Sequence, residues 1–138
     1  MVEMELNKIV IDEKRHDQLI VLKEKGGERL LPIVIGLPEA SAIKMKISGF
    51  EPPRPLTHDL LQSAIESLEA VVDKIIIDKL EDNTFHAKLV IKTKSGDTKT
   101  IDARPSDSIA LAVRARAPIY VEDEVVKQSE VFNKKPIE

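Results

Sequence analysis

Residues that could carry chemistry are concentrated between positions 102 and 108, where a predicted strand meets a predicted helix. Proline is favoured in the first turn of a helix, because its missing N–H group is not needed there. The free N–H groups of that turn and the positive end of the helix dipole attract oxygen acceptors and anions. Two interpretations explain the pattern. One is a capped helix with a local aspartate–arginine pair, and the other is an anion pocket or a carboxylate metal site. The polar residues of the segment are Asp102, Arg104, Ser106, Asp107 and Ser108.

A second polar cluster, Arg54, His58 and Asp59, follows a proline-rich segment at residues 51–55. Three prolines in this segment exclude regular helix and central strand, so it predicts a stiff connector. Thr57 is a suitable N-cap for the helix that follows. A histidine can act as a general base or acid near neutral pH, with the aspartate orienting it or holding a metal. In the competing interpretation Asp59 stabilises the helix N-terminus and His58 faces solvent.

The helix predicted to begin at Pro105 has polar residues in its first turn and an apolar stripe along its length. Arg114 and Arg116 lie toward its C-terminus, where positive charge is stabilising, and we assign them no functional role. The inward positions are predicted from helical spacing. They are Ile109, Ala112, Val113 and Ala117.

The composition predicts one domain, which we place at residues 1–132, with a polar tail at 133–138. A chain of 138 residues, 42% of them hydrophobic, can bury one compact core. A net charge of −3 gives no general attraction to nucleic acid or anionic membranes, and only three phenylalanines and one tyrosine are present to stack on unpaired bases. The absence of cysteine excludes disulfides and thiolate sites. Because no leader-like start or long apolar run is found, we expect a cytoplasmic protein with no membrane partner.

Hydrophobic periodicity predicts an α+β fold, a single compact domain of mixed, largely antiparallel sheet with three helices. Adjacent glycines at 26 and 27 predict a hairpin turn. The helix after Thr57 has an apolar stripe that we expect to face inward, formed by Leu60, Leu61, Ala64, Ile65 and Leu68. Strands are expected at residues 6–12, 18–24, 29–35, 71–77, 85–93, in a segment ending at 103, and at 119–121. Helices are expected at residues 39–48, 57–70 and from 105 onward.

The two halves of the sequence share a plan. Three pairs of matching segments occur in the same order and at nearly constant separation, which predicts an internal duplication of a strand-strand-strand-helix unit. Each unit ends in Pro-x-x-Ser at a helix start, at Pro38 and at Pro105. Arg104 and Asp107 replace the Leu37 and Ala40 of the first unit, so function is expected where the two helix starts differ.

Three blocks of the sequence resemble the bifunctional nuclease domain family. They occur in the family's order, and the resemblance covers about residues 5–126. It implies a compact α+β domain, metal-supported cleavage of both DNA and RNA, and a homo-oligomer. The blocks are Leu-Pro-Ile-Val-Ile-Gly at 31–36 with Glu39-Ala40, Arg-Pro-Leu-Thr-His-Asp-Leu at 54–60, and Asp-Ala-Arg-Pro-Ser-Asp-Ser-Ile-Ala-Leu-Ala at 102–112.

Mapped onto these blocks, the resemblance gives a hypothesis for each candidate site residue. Phosphodiester cleavage needs an activated water and neutralisation of the phosphate, commonly through carboxylate-bound metal. The catalytic residues would be His58, Asp59 and Asp107. The phosphate would be bound by Arg54, Arg104, Ser106 and Ser108, and Mg²⁺ or Mn²⁺ by Asp102, Asp107 and Glu39.

A different class of function explains the same cleft. The chain would then be a non-catalytic regulatory or interaction module that binds a small anion or a protein partner. The nearly balanced charge, the few aromatic residues and the absence of a dense acidic motif favour this interpretation. Metal-dependent turnover that is lost in site variants would distinguish the enzyme from the module.

Overall fold

The computed structural model describes residues 1–133, with side chains up to residue 130. The predicted polar tail therefore lies outside the described residues, apart from Asn133 at its start. The strands are β1 (Val2–Val10), β2 (Asp17–Glu24), β3 (Leu30–Gly36), β4 (Val71–Glu81), β5 (Thr84–Lys92), β6 (Thr98–Ala103) and β7 (Ile119–Val121). The helices are α1 (Leu37–Ile47), α2 (Thr57–Ser67), α3 (Pro105–Ala115) and α4 (Asp123–Asn133).

The seven strands form one mixed sheet in the order β3-β2-β1-β7-β4-β5-β6. Every neighbouring pair is antiparallel except β4 and β7, which run parallel. Helix α4 packs on both β3 and β4, although three strands separate them in the sheet. The sheet is therefore curled, as twisted strands favour. The prediction of a mixed, largely antiparallel α+β sheet is confirmed.

Buried apolar side chains at alternate strand positions form the core. Ile20 and Leu22 in β2 and Ile75 and Ile77 in β4 are fully buried, and each pair is two residues apart, so both members point to the same face. The helices cover this face, and α3 contributes the largest share of buried helical residues. Its buried positions include Ile109 and Ala112, as the apolar stripe predicts. One hydrophobic core therefore joins both halves of the chain.

The prediction of three helices is wrong, because α4 is a fourth. Its sequence is mostly polar, and its amphipathic pattern is short. Val125 and Val126 are nevertheless buried, which anchors the helix inside the curled sheet. Tertiary packing, rather than local periodicity, thus stabilises α4.

Two expectations about α2 are also wrong. The N-cap is Leu56, and Thr57 already belongs to the helix. Of the predicted inward stripe only Ile65 is buried, while Leu60, Leu61 and Leu68 are exposed. The helix lies at the margin of the sheet and buries one side that includes His58 instead. Its leucine-rich side is left facing outward.

The strand-strand-strand-helix order occurs twice, as β1-β2-β3-α1 and as β4-β5-β6-α3. A common origin of the two units stays a prediction. The arrangement has one direct consequence for the site. In each unit a helix begins directly after the third strand or one residue beyond it, so both helix starts lie at strand ends.

Replacing Ile77 by alanine tests the packing of the core. Ile77 is fully buried in β4, so the loss of its side chain leaves a cavity and should lower the free energy of unfolding by about 2–5 kcal/mol. The matched control is Ile47→Ala, at an exposed position of α1, where a change within about 0.5 kcal/mol is expected. Urea denaturation measures both. Equal effects at the two positions would contradict the assigned core.

Candidate active site

The N-terminal ends of three helices supply the candidate site. The residues just before α1, α2 and α3 are Gly36, Leu56 and Arg104, and all three have extended backbone. Pro38 and Pro105 occupy the first turns of α1 and α3, where proline is well tolerated. The local sequence thus starts each helix, and the core brings α1, α2 and α3 together.

His58 and Asp107 form the centre of the site. The Nε2 atom of His58 lies 3.0 Å from Oδ1 of Asp107 across 49 residues of sequence. His58 is only 8% exposed, so the interpretation in which it faces solvent is wrong. In the neutral imidazole, an ionised carboxylate beside Nε2 favours the tautomer with the proton on Nε2, in which Nδ1 is the acceptor. Nδ1 is buried and has no hydrogen-bond partner within the described part of the chain.

Arg104 connects this pair to the first half of the chain. Its Nε donates to Oδ2 of Asp107 at 2.8 Å, and its Nη2 donates to Oε1 of Glu39 at 3.0 Å. The Arg104 side chain is still 68% exposed. Its remaining nitrogen, Nη1, makes no hydrogen bond to any described residue. A guanidinium with free donors at the surface is suited to bind phosphate.

The position of Glu39 depends on the glycine before α1. A Cβ atom placed on Gly36 would lie 2.7 Å from Oε2 of Glu39, closer than van der Waals contact permits. The backbone of Gly36 is ordinary extended chain, and an added Cβ would displace the flexible end of the Glu39 side chain from its present position. The Glu39 carboxylate folds back over Gly36 and from there reaches Arg104.

The electrostatics favour the ionised form of Asp107. Burial alone would raise the pKa of this carboxyl group, but hydrogen bonds from His58 and Arg104 and the charge of Arg104 outweigh burial and leave the pKa below the usual range. The same carboxylate, followed by Glu39, raises the pKa of Arg104. The site thus holds a carboxylate and a guanidinium in their charged forms beside a histidine.

Asp59 has different partners from His58, although the two residues are adjacent. Its Oδ2 accepts the backbone N–H of Leu56 at 2.9 Å, and its Oδ1 accepts Nε of Arg114 at 2.7 Å. Asp59 therefore caps α2, as one of the two interpretations of the sequence expects. The Leu56 hydrogen bond, together with Arg114, lowers the pKa of Asp59 against the effect of burial.

Arg114 links three helices from the interior. Its side chain is 3% exposed; Nη1 donates to the carbonyl of Ala110 at 2.9 Å, and Nη2 donates to the carbonyl of Ala42 at 3.4 Å. These contacts join α3 to α1, and the pair with Asp59 joins α3 to α2. Attributing Arg114 to the helix C-terminus alone was thus wrong. The signal that could have revealed it is a charged residue following four buried apolar positions, 109–112.

The other predicted site residues lie apart from this cluster. Asp102 is exposed and pairs with Lys88 at 3.1 Å, and Arg54 is exposed and makes no hydrogen bond or ion pair with any described residue. Ser108 is buried, and its Oγ has no partner within the described residues. Ser106 is also buried but lines a hollow beside Arg104. The structure therefore unites Glu39, His58, Arg104 and Asp107, while Asp102 and Arg54 remain outside that set of contacts.

The predicted metal ligands do not fit a resident Mg²⁺ or Mn²⁺ in this arrangement. Glu39 and Asp107 both bind Arg104, and Asp102 binds Lys88, so each carboxylate already has a cationic partner. In the described part of the chain, no group of three histidine, cysteine or acidic side chains is spaced to hold a metal ion. Hard divalent cations need several oxygen ligands at once. We therefore derive no chemical step through a metal.

A double-mutant cycle on Asp59 and Arg114 tests the buried link. Asp59→Ala should lower the free energy of unfolding by about 3–5 kcal/mol, because a buried guanidinium loses its carboxylate. Arg114→Met and the double variant complete the cycle, with an expected coupling of about 0.5–3 kcal/mol. The control cycle uses the exposed pair Glu69 and Lys94, where about 0–1 kcal/mol is expected. A coupling no larger than that of the control would contradict the structural role of Arg114.

The lowered pKa values of Asp59 and Asp107 predict loss of stability in acid. A carboxyl group with a folded-state pKa below its unfolded value stabilises the fold fully above the ordinary aspartate value of 3.8. That contribution is lost as the pH falls through the folded-state pKa. Free energies of unfolding measured from pH 7 to pH 2 should therefore decline less steeply in Asp107→Asn than in the natural sequence. An unchanged slope would show that Asp107 is not held in its charged form.

This chain is similar in sequence to proteins of one known family. The sequence profile of the bifunctional nuclease domain matches residues 20–134. An uncharacterized protein of Mycobacterium tuberculosis is 40% identical over 129 residues, which are 94% of this chain and 76% of the relative.

This chain matches only about a third of the length of its plant relatives. Bifunctional nuclease 2 of Oryza sativa subsp. japonica is 33% identical over 115 residues, and bifunctional nuclease 1 of Arabidopsis thaliana is 23% identical over 112 residues. The match covers 80% of this chain in both cases, but only 35% and 34% of the plant proteins. The profile match covers most of the chain, and the chain belongs to the bifunctional nuclease domain family.

Proposed function

We propose that the protein hydrolyses phosphodiester bonds of DNA and RNA at the cluster of Glu39, His58, Arg104 and Asp107. The observation that carries the proposal is the position of Asp107, whose two oxygens bind His58 on one side and Arg104 on the other. One carboxylate thus orients both a proton acceptor and a phosphate-binding cation. The names of the plant relatives support this reaction class.

His58 acts as the general base. Asp107 holds the proton on Nε2, so Nδ1 accepts a proton from the attacking water, as in other aspartate–histidine pairs. Nδ1 is shielded in the structure, and we expect substrate binding to open access to it.

Arg104 binds the phosphate that is attacked. The free Nη1 donors contact a phosphate oxygen, and the positive charge offsets the charge that develops on the phosphorus oxygens. Glu39 and Asp107 keep the guanidinium in place before substrate arrives. The phosphate then exchanges with part of these carboxylate contacts.

The reaction requires water as the nucleophile if one site cleaves both polymers, because DNA has no 2′-hydroxyl group. The water oxygen forms a bond to phosphorus while the bond to the leaving sugar oxygen breaks. The water proton passes to Nδ1 of His58, and the leaving oxygen takes a proton from solvent. His58 then returns its proton to solvent.

Three single substitutions in folded protein test the proposal. His58→Gln removes the base and should lower kcat by about a hundredfold to ten-thousandfold. Asp107→Asn and Arg104→Gln should each lower kcat/KM on both DNA and RNA. The matched control is His16→Gln, an exposed histidine that makes no hydrogen bond to any described residue of the cluster, which should retain full activity.

The assay is run with Mg²⁺, with Mn²⁺ and with chelator, on protein purified in parallel with each variant. Loss of activity with chelator in the natural sequence would show that metal assists the reaction, a role that we propose only for ions arriving with the substrate phosphates. Full activity in all three cluster variants would refute the site and identify a contaminating nuclease as the source.

A second candidate is an interaction module with no turnover, for which the exposed leucine side of α2 is the supporting observation. Leu60 and Leu61 are exposed on α2, and Leu68 is exposed directly after its last residue; exposed apolar surface is typical of protein interfaces. A homo-oligomer is one form of this proposal. Light scattering compares the mass of the natural sequence with that of Leu68→Glu. If these leucines form the interface of a homo-oligomer, the variant should have the lower mass. Within residues 1–133, no helix is both long and apolar enough to cross a lipid bilayer.

A further inference from the structure

A hollow of about 580 Å³ lies beside Arg104, at the start of α3. Strand β3 forms one wall, and the turn between β4 and β5 forms another. Its volume is within the range of small-molecule sites. Most of its wall is apolar, formed by Pro32, Val34, Leu80 and Phe85.

The end of the hollow at the start of α3 is polar. Ser106 lines it, is 7% exposed and has no hydrogen-bond partner among the described residues, so its hydroxyl group is available to a ligand. Arg104 lines the same end and has free Nη1 donors. Pro105 has no N–H group and Ser108 donates its own to the carbonyl of Arg104, so the N–H groups of Ser106 and Asp107 are the ones without an acceptor in the helix. An anion bound here would meet a hydroxyl, a guanidinium and a helix N-terminus together.

We propose that this hollow holds one unpaired base of the substrate, next to the phosphate bound by Arg104 and Ser106. The inference rests on the proposed function and names the substrate class, which is single-stranded nucleic acid. A base that is paired and stacked in a duplex cannot enter this hollow unless it first leaves its partner.

The chemistry of the walls agrees with a base. Phe85 offers one aromatic side chain for contact with the base, and the amide of Asn83 lies at the rim, where it can bind the polar edge. The small number of aromatic residues argues against a platform for several bases, and a hollow for one base requires only Phe85. An anionic lipid would match the apolar wall and the cation but would leave the amide of Asn83 without a role.

Fluorescence anisotropy with three probes tests the inference. The probes are a single-stranded DNA of about 12 nucleotides, a duplex of the same sequence, and an oligomer of equal length whose bases are replaced by stable abasic residues. The His58→Gln protein is used so that the probe is not consumed. The single strand should bind at least about fivefold more tightly than the other two probes, as expected when one base contributes.

Two variants locate the effect in the hollow. Phe85→Leu keeps an apolar side chain in the wall and removes the ring, and Val34→Glu adds a negative charge at a position that is 62% exposed. Both should weaken binding of the single strand severalfold, and Phe85→Leu should leave the abasic oligomer unchanged. The matched control is Val10→Glu, at an exposed position of β1 that does not line the hollow, with no loss beyond the general charge effect.

The outcomes separate this inference from the proposed function. Equal binding of all three probes, or tighter binding of the duplex, overturns the base site while cleavage by the cluster still stands. Binding of an anionic lipid vesicle in place of every oligonucleotide overturns the base site in favour of the lipid. Absence of both binding and cleavage in the natural sequence overturns the proposed function, and the base site with it.

Discussion

The buried guanidinium of Arg114 is the interaction on which the candidate site depends. It joins α3 to α1 through the carbonyl of Ala42 and to α2 through Asp59. A charge removed from water is costly unless it is paired and hydrogen-bonded, so the three helix positions are coupled to one another. The first turn of α2 is fixed by the same Asp59 carboxylate, and His58 belongs to that turn. Among the described residues, Arg114 makes no hydrogen bond to Glu39, His58, Arg104 or Asp107, but through Asp59 it supports the helix turn that carries His58.

Opposite charges determine the form of the site itself. Arg104 lies between two carboxylates, and one of them also binds His58. The arrangement orients each side chain before substrate arrives, at the cost of occupying oxygens that a metal would need. Glu39 comes from the first half of the chain, while Arg104 and Asp107 come from the second. The site is therefore incomplete in either half alone, whatever the origin of the two units.

Several features could be read from the sequence, because they are local. Proline, serine and aspartate around residue 105 specify a helix start, and the spacing of Ile109 and Ala112 specifies the buried side of α3. The strand alternation and the Gly26-Gly27 turn likewise depend on near neighbours. Other predictions failed where burial depends on distant partners. Helix α4 is held by the buried Val125 and Val126, and Leu60 and Leu61 of α2 stay exposed among the described residues.

The sequence by itself determined the α+β class, the helix starts and the family, since propensity, periodicity and motif are properties of short segments. It also indicated which residue types could do chemistry. Only the tertiary structure decided which of them meet. His58 and Asp107 are 49 positions apart, and Arg104 and Glu39 are 65 positions apart, so their pairing results from how α1, α2 and α3 pack on the curled sheet. Asp102 is two residues from Arg104 in sequence but binds Lys88 instead, and no local pattern distinguishes these two outcomes.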